Sequence, residues 1–135
     1  MKFQNNDLIG PAMMGQFDIM RDFAKRSCPN LTLAPGTILF HEGDPADCVY
    51  LILSGSVEMI CAGKVVDTCE VNDSFGFMSV IDDAPRALTA RVAADAEIAV
   101  IDHKKFQFMV HQFPHFPYYI MRQMARRIKD IAHIA

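Results

Sequence analysis

The 135-residue chain reads as a mainly β fold with flanking helices, and three changes of periodicity carry that expectation. Apolar residues recur at helical spacing over 16–27, β-branched runs split by turn residues fill Leu31 to Ile101, and helical spacing returns after Asp102. Together these predict a roll of antiparallel strands with one helix before it and helices after it.

In the first helix, Phe17, Met20, Phe23 and Ala24 form one apolar stripe, and Pro29 ends it. Pro35-Gly36, Gly43-Asp44-Pro45, Ser54-Gly55 and Ala62-Gly63 punctuate the strands that follow. Val49-Tyr50-Leu51-Ile52-Leu53 is nearly continuous in apolar character, which fits a central strand buried on both faces. Gly55 is expected to reverse the chain into Val57–Cys61, and Gly63 to reverse it again into Val65–Cys69. A last pair, Ala87–Ala93 and Glu97–Ile101, is expected around Ala94-Asp95-Ala96. Lys105–Val110 predicts a short helix, and Pro114 and Pro117 break or bend the chain before the final one. There Met121, Met124, Ile128, Ile131 and Ala135 alternate by threes and fours. Two heptads suit either a helix packed on its own roll or a seam between two copies.

A hydrophobic content of 51% supports one ordinary domain, with a helical segment over 1–30, the roll over 31–104 and the last helices over 105–135. The net charge of −3 lacks the basic balance of a broad nucleic-acid binder. Met1–Asp7 has no signal-peptide core and no run approaches the ~18 apolar residues of a membrane span, so a cytoplasmic protein without membrane contact is expected. Cys28, Cys48, Cys61 and Cys69 are too irregularly spaced for a zinc or redox pair, and reduced thiols are expected. Of His41, His103, His111, His115 and His133, only His111 and His115 have helical ligand spacing, and Pro114 interrupts them; no metal site is expected.

No nucleophile elbow or Walker loop is present, and Asp82-Asp83 suits a solvated loop better than acid–base work, so the chain reads as a non-enzyme without a cofactor. Arg122, Arg126, Arg127 and Lys129 make a basic run on the last helix. It suits a solvated face near the negative helix end, a partner surface, or a contact with a ligand.

The stretch Ser74 to Thr89 is the most informative. Gly76 opens a short helical turn and lets another group approach the backbone, while Arg86 follows ten residues later on a loop stiffened by Pro85. A guanidinium matches phosphate oxygens in a planar fork, and small Ala87 leaves its own N–H able to point at the same anion. On spacing alone, a capped turn with an exposed arginine fits as well as a phosphate cage.

The run Phe75-Gly76-Phe77-Met78-Ser79-Val80-Ile81-Asp82-Asp83-Ala84-Pro85-Arg86-Ala87-Leu88-Thr89-Ala90 resembles the phosphate-binding cassette of cyclic nucleotide-binding domains of the Crp-Fnr type. A second block, Pro35 to Asp47 with Val49 to Glu58, is similar to the first strands and turns of that fold. The likeness covers about residues 31–135. It implies a jelly-roll-like antiparallel β-roll, a double-stranded β-helix, with an N-terminal helix, a short cassette helix and a C-terminal dimer-type helix. It further implies phosphate contacts from Gly76, Arg86 and Ala87, a cyclic nucleotide such as cAMP or cGMP as ligand, and a homodimer through Met121, Met124, Ile128 and Ile131.

Family members that bind a nucleotide generally carry an acidic residue after the cassette glycine to accept the ribose 2′-hydroxyl; here Phe77 and Met78 occupy the ribose position. An unpaired hydroxyl costs roughly 1–3 kcal/mol, so weak binding, an altered ligand or a ligand-free protein-interaction scaffold all follow. Crp-Fnr regulators add a helix-turn-helix domain after the dimer helix. The sequence ends at Ala135, so no DNA binding by this chain alone is expected, unless it is the sensor fragment of a longer regulator.

Overall fold

The computed structural model describes residues 11–132. Helix α1 (Pro11–Ser27) buries Phe17, Met20 and Ala24, the stripe that the spacing predicts. Strands β1 (Asn30–Leu33), β2 (Ile38–Phe40), β3 (Cys48–Cys61), β4 (Lys64–Cys69) and β5 (Ser74–Phe75) follow. Short helix α2 (Phe77–Ile81) leads into β6 (Thr89–Asp102), and helices α3 (His103–Gln112) and α4 (His115–Ala132) come last. Every strand pairing is antiparallel: β1, β2 and β3 lie on β6, and β4 and β5 lie on β3. This is an open antiparallel sheet with flanking helices, the β-roll architecture.

The ribbon of β3 and β6 separates two cores. Val49, Leu51 and Leu53 of β3, with Ala99 and Ile101 of β6, face the helices and pack on Phe17, Met20, Phe106, Met109, Phe116 and Ile120. Tyr50 and Ile52 face the roll interior with Phe40, Phe75, Ile98 and Val92. All five residues Val49–Leu53 are buried, as a strand covered on both faces requires.

Beyond Leu53 the expected reversal at Gly55 does not occur. β3 runs straight on to Cys61, and its register with β6 shifts between Ile52 and Val57. Gly55 has φ +85°, and a Cβ there would lie 2.2 Å from the Asp95 carbonyl oxygen, so the glycine marks a close approach of two backbones at a bulge. The bulge switches strand parity. Before it the even positions Tyr50 and Ile52 point into the roll; after it the odd positions Val57 and Met59 do. The pair expected around Ala94-Asp95-Ala96 is likewise one continuous strand, β6, because those residues lie opposite the same bulge.

Gly63 does make its hairpin: Ala62 and Gly63 both have positive φ, +51° and +79°, and Cys61 pairs with Lys64. Asp102 caps α3, its carboxylate accepting the Lys105 N–H at 2.7 Å. Pro117 does not interrupt the chain ahead of the last helix but sits in the first turn of α4, where no intrahelical N–H partner is lost.

Candidate ligand site

The two sequence blocks meet at Arg86. Its backbone N–H donates to the Asp44 carbonyl and its own carbonyl accepts from the Gly43 N–H, each at 2.8 Å, so the cassette arm is clipped to the turn after β2. The Glu42 N–H donates to Thr89 Oγ1 at 3.0 Å and closes the same junction. This clip turns the Arg86 side chain inward, and only 3% of the residue is exposed.

Inside, Arg86 Nη1 donates to the Gly76 carbonyl at 2.6 Å and Nη2 to the Cys48 carbonyl at 2.7 Å. The guanidinium lies 4.3 Å from the centroid of the Phe40 ring and 5.8 Å from that of Tyr50. Tyr50 in turn stacks on Phe75 at 5.0 Å. Gly76 has φ +79°, and a Cβ there would fall 2.6 Å from Arg86 Nη1. The sequence pairs Gly76 with Arg86, and the fold brings them into direct contact. Arg86 Nε is buried and makes no hydrogen bond among the described residues. Burial pushes the Cys48 thiol and the Tyr50 phenol up from their ordinary values.

The other site residues lie apart from Arg86 to different degrees. Ala87 is exposed just beyond the arm. Phe77 is 1% exposed and packs with Val80 in the helix-side core, while Met78 on the same short helix is 57% exposed. The i, i+3 spacing of Phe77 and Val80 is that of the inner face of a helix lying on the sheet. Phe77 therefore serves the packing of α2, with the Arg127 guanidinium 5.8 Å from its ring centroid.

Sequence reasoning missed how α4 is docked. Gln123, wholly buried, accepts from the Ser74 N–H at 3.1 Å and donates to the Ser74 carbonyl at 2.5 Å. The Tyr119 hydroxyl donates to the Asn72 carbonyl, and Arg126 pairs with buried Asp73 at 3.5 Å. Arg127 lies 3.5 Å from Asp67 and donates to Cys69 Sγ at 3.0 Å. The basic run is thus no uniformly solvated face: Arg126 and Arg127 pair with the roll, and only Lys129 is exposed among the four. The signal was available in the i, i+4 and i, i+3 spacing of Tyr119, Gln123 and Arg126.

The opposite face of α4 exposes Tyr118, Met121, Ala125 and Ile128, whereas Met124 is half-buried against the helix-side core. The Ile131 side chain, His133 and Ala135 lie outside the described residues. α3 ends at Gln112 and α4 begins at His115, so His111 and His115 share no helix. None of the four cysteines is in a disulfide. No described helix is long and apolar enough to cross a membrane.

The family model of the cyclic nucleotide-binding domain matches residues 30–113, and the chain belongs to that family. It is 34% identical over 74 residues to a cAMP-dependent protein kinase regulatory subunit of Hypocrea atroviridis, covering 55% of this chain and 16% of that protein. It is 41% identical over 61 residues to the human Rap guanine nucleotide exchange factor 3, covering 44% of this chain and 7% of the relative. The chain thus spans less than a fifth of these relatives. Among solved structures, the Thermus thermophilus catabolite activator protein superposes with a TM-score of 0.74 at 21% identity, over 91% of this chain and 60% of that one. The second cyclic nucleotide-binding domain of a protein kinase A regulatory subunit, bound to Sp-2Cl-cAMPS, gives 0.67 at 16% identity, over 91% and 95%. These two likenesses show the fold.

Proposed function

We propose that this chain is a sensor domain that takes the phosphate of a cyclic nucleotide, cAMP or a related ligand, at Gly76, Arg86 and Ala87 and signals through α3 and α4. The observation that supports it most is the buried Arg86 guanidinium, held against the open backbone of Gly76 with its Nε making no hydrogen bond among the described residues. An incoming phosphate oxygen would supply that partner and compete for the donors now spent on the Gly76 and Cys48 carbonyls. Phe77, turned into the core, offers no acceptor to a ribose hydroxyl, so affinity is weak relative to domains with a carboxylate there. The exposed apolar stripe of Tyr118, Met121, Ala125 and Ile128 supports a homodimer through α4. The reading assigns no catalytic step.

A second reading, a ligand-free scaffold that binds a protein, draws on the same Phe77 burial and on the internal bonds that Arg86 already makes. Calorimetric titration with cAMP and cGMP separates the two. The sensor reading expects micromolar binding that falls more than about a hundredfold in Arg86→Ala, the loss of charge-assisted contacts to one phosphate. Silence of the native protein toward both nucleotides selects the scaffold.

A further inference from the structure

We propose that Gln123 is a positioning residue of the ligand site: its carboxamide clasps the backbone that enters the cassette, making the docking of α4 and the geometry of Gly76 and Arg86 one cooperative unit. The proposal rests on the reading of Gly76 and Arg86 as a phosphate site and names the link by which that site reaches the last helix.

β5 is two residues long and pairs with β3 through Tyr50–Phe75 and Leu51–Ser74. So short a strand needs support on its outer side. Gln123 gives it, accepting from the N–H and donating to the carbonyl of the same residue, Ser74, as a neighbouring strand would. Ser74 and Gln123 are both wholly buried, so neither bond can be exchanged for one to water without moving the helix. Tyr119 on the Asn72 carbonyl and Arg126 on Asp73 fix the two preceding residues to the same helix face.

From Ser74 the path to the ligand site is short. Phe75 stacks on Tyr50, the Tyr50 ring lies beside the Arg86 guanidinium, and the Gly76 carbonyl accepts from Arg86 Nη1. A phosphate that draws Arg86 away from Gly76 acts on the segment that Gln123 holds. Linkage then requires that helix docking and ligand affinity change each other by the same factor.

The test uses the full chain with Gln123→Met, which keeps side-chain length but cannot hydrogen-bond, and Ile19→Ala on the exposed face of α1 as control. Amide exchange at Phe75, Gly76 and Phe77 and calorimetric affinity for cAMP are the readouts. Gln123→Met is expected to speed exchange at these amides about tenfold and to weaken cAMP about tenfold, the scale of one or two lost net hydrogen bonds, while Val49–Leu53 stays protected. Ile19→Ala is expected to change neither. Unchanged exchange at these amides overturns the proposal, and so does faster exchange with unaltered cAMP affinity. If Val49–Leu53 also loses protection, Gln123→Asn replaces the variant; it keeps the amide but draws it back from Ser74 by one methylene and is expected to show an intermediate effect on both readouts, and a native-like result overturns the proposal. Should the native chain ignore cAMP, the phosphate reading fails, and exchange at Gly76 and Phe77 alone decides whether Gln123 positions the cassette.

Discussion

Gly76 is the residue on which the site geometry turns. Its φ of +79° and the 2.6 Å from a built Cβ to Arg86 Nη1 give two separate reasons for glycine. Alanine there adds about 1–2 kcal/mol of left-handed backbone strain and must also displace the guanidinium from its carbonyl. Gly76→Ala is therefore expected to lower the urea midpoint and to weaken any phosphate ligand. A native midpoint in urea titration would show that Arg86 yields without cost. That Gly76 and Arg86 belong to one motif was legible from the resemblance, which gives both to one phosphate, but their direct hydrogen bond was not. The inward turn of Phe77 was not, since a single phenylalanine beside a glycine fits a pocket wall and a core face equally well. What decides it is Val80, three residues on, which shares the buried face of α2. The spacing of Arg126 with Tyr119 and Gln123 marks one face of α4, but the partners Asp73, Asp67 and Cys69 are distant in sequence, so what that face meets was not legible.

At the scale of elements, the long ribbon depends on a bulge that periodicity alone disguises. Ser54-Gly55-Ser56 looks like a turn because it is small and polar, and the apolar pattern changes parity across it. A reversal and a bulge produce the same change. Chain geometry separates them, because β6 presents Asp95 directly against Gly55 and a Cβ would stand 2.2 Å from its carbonyl oxygen. Gly55→Ala is expected to cost more than about 2 kcal/mol, since backbone on both sides must part and φ +85° is strained besides. Chemical denaturation of that variant checks this, and a loss below a few tenths of a kcal/mol would mean that the two strands slide apart freely. Where the signal was local and unambiguous, as in the α1 stripe, the Gly63 hairpin and the Val49–Leu53 run, sequence and structure agree.

Across the whole molecule, α4 has two unlike faces: one spends buried polar groups on the roll, the other leaves Tyr118, Met121, Ala125 and Ile128 to solvent. A second copy of the same stripe is the simplest cover in the proposed dimer. Met121→Glu together with Ile128→Glu is expected to convert a dimer to a monomer by sedimentation without altering the fold, because both side chains are more than half exposed. A monomeric native protein would remove that role. The β3–β6 ribbon also constrains the order in which parts of the protein fold during synthesis. It joins Ile60 to Thr89 and Cys48 to Asp102, so α2, Gly76 and Arg86 all lie within the loop that this pairing closes. Such distant contacts form slowly, and a chain emerging from a ribosome cannot zip the ribbon fully until Asp102 has been synthesised. A growing polypeptide thus holds Gly76 and Arg86 long before it can hold them together, and the cassette takes shape only as the last strand arrives.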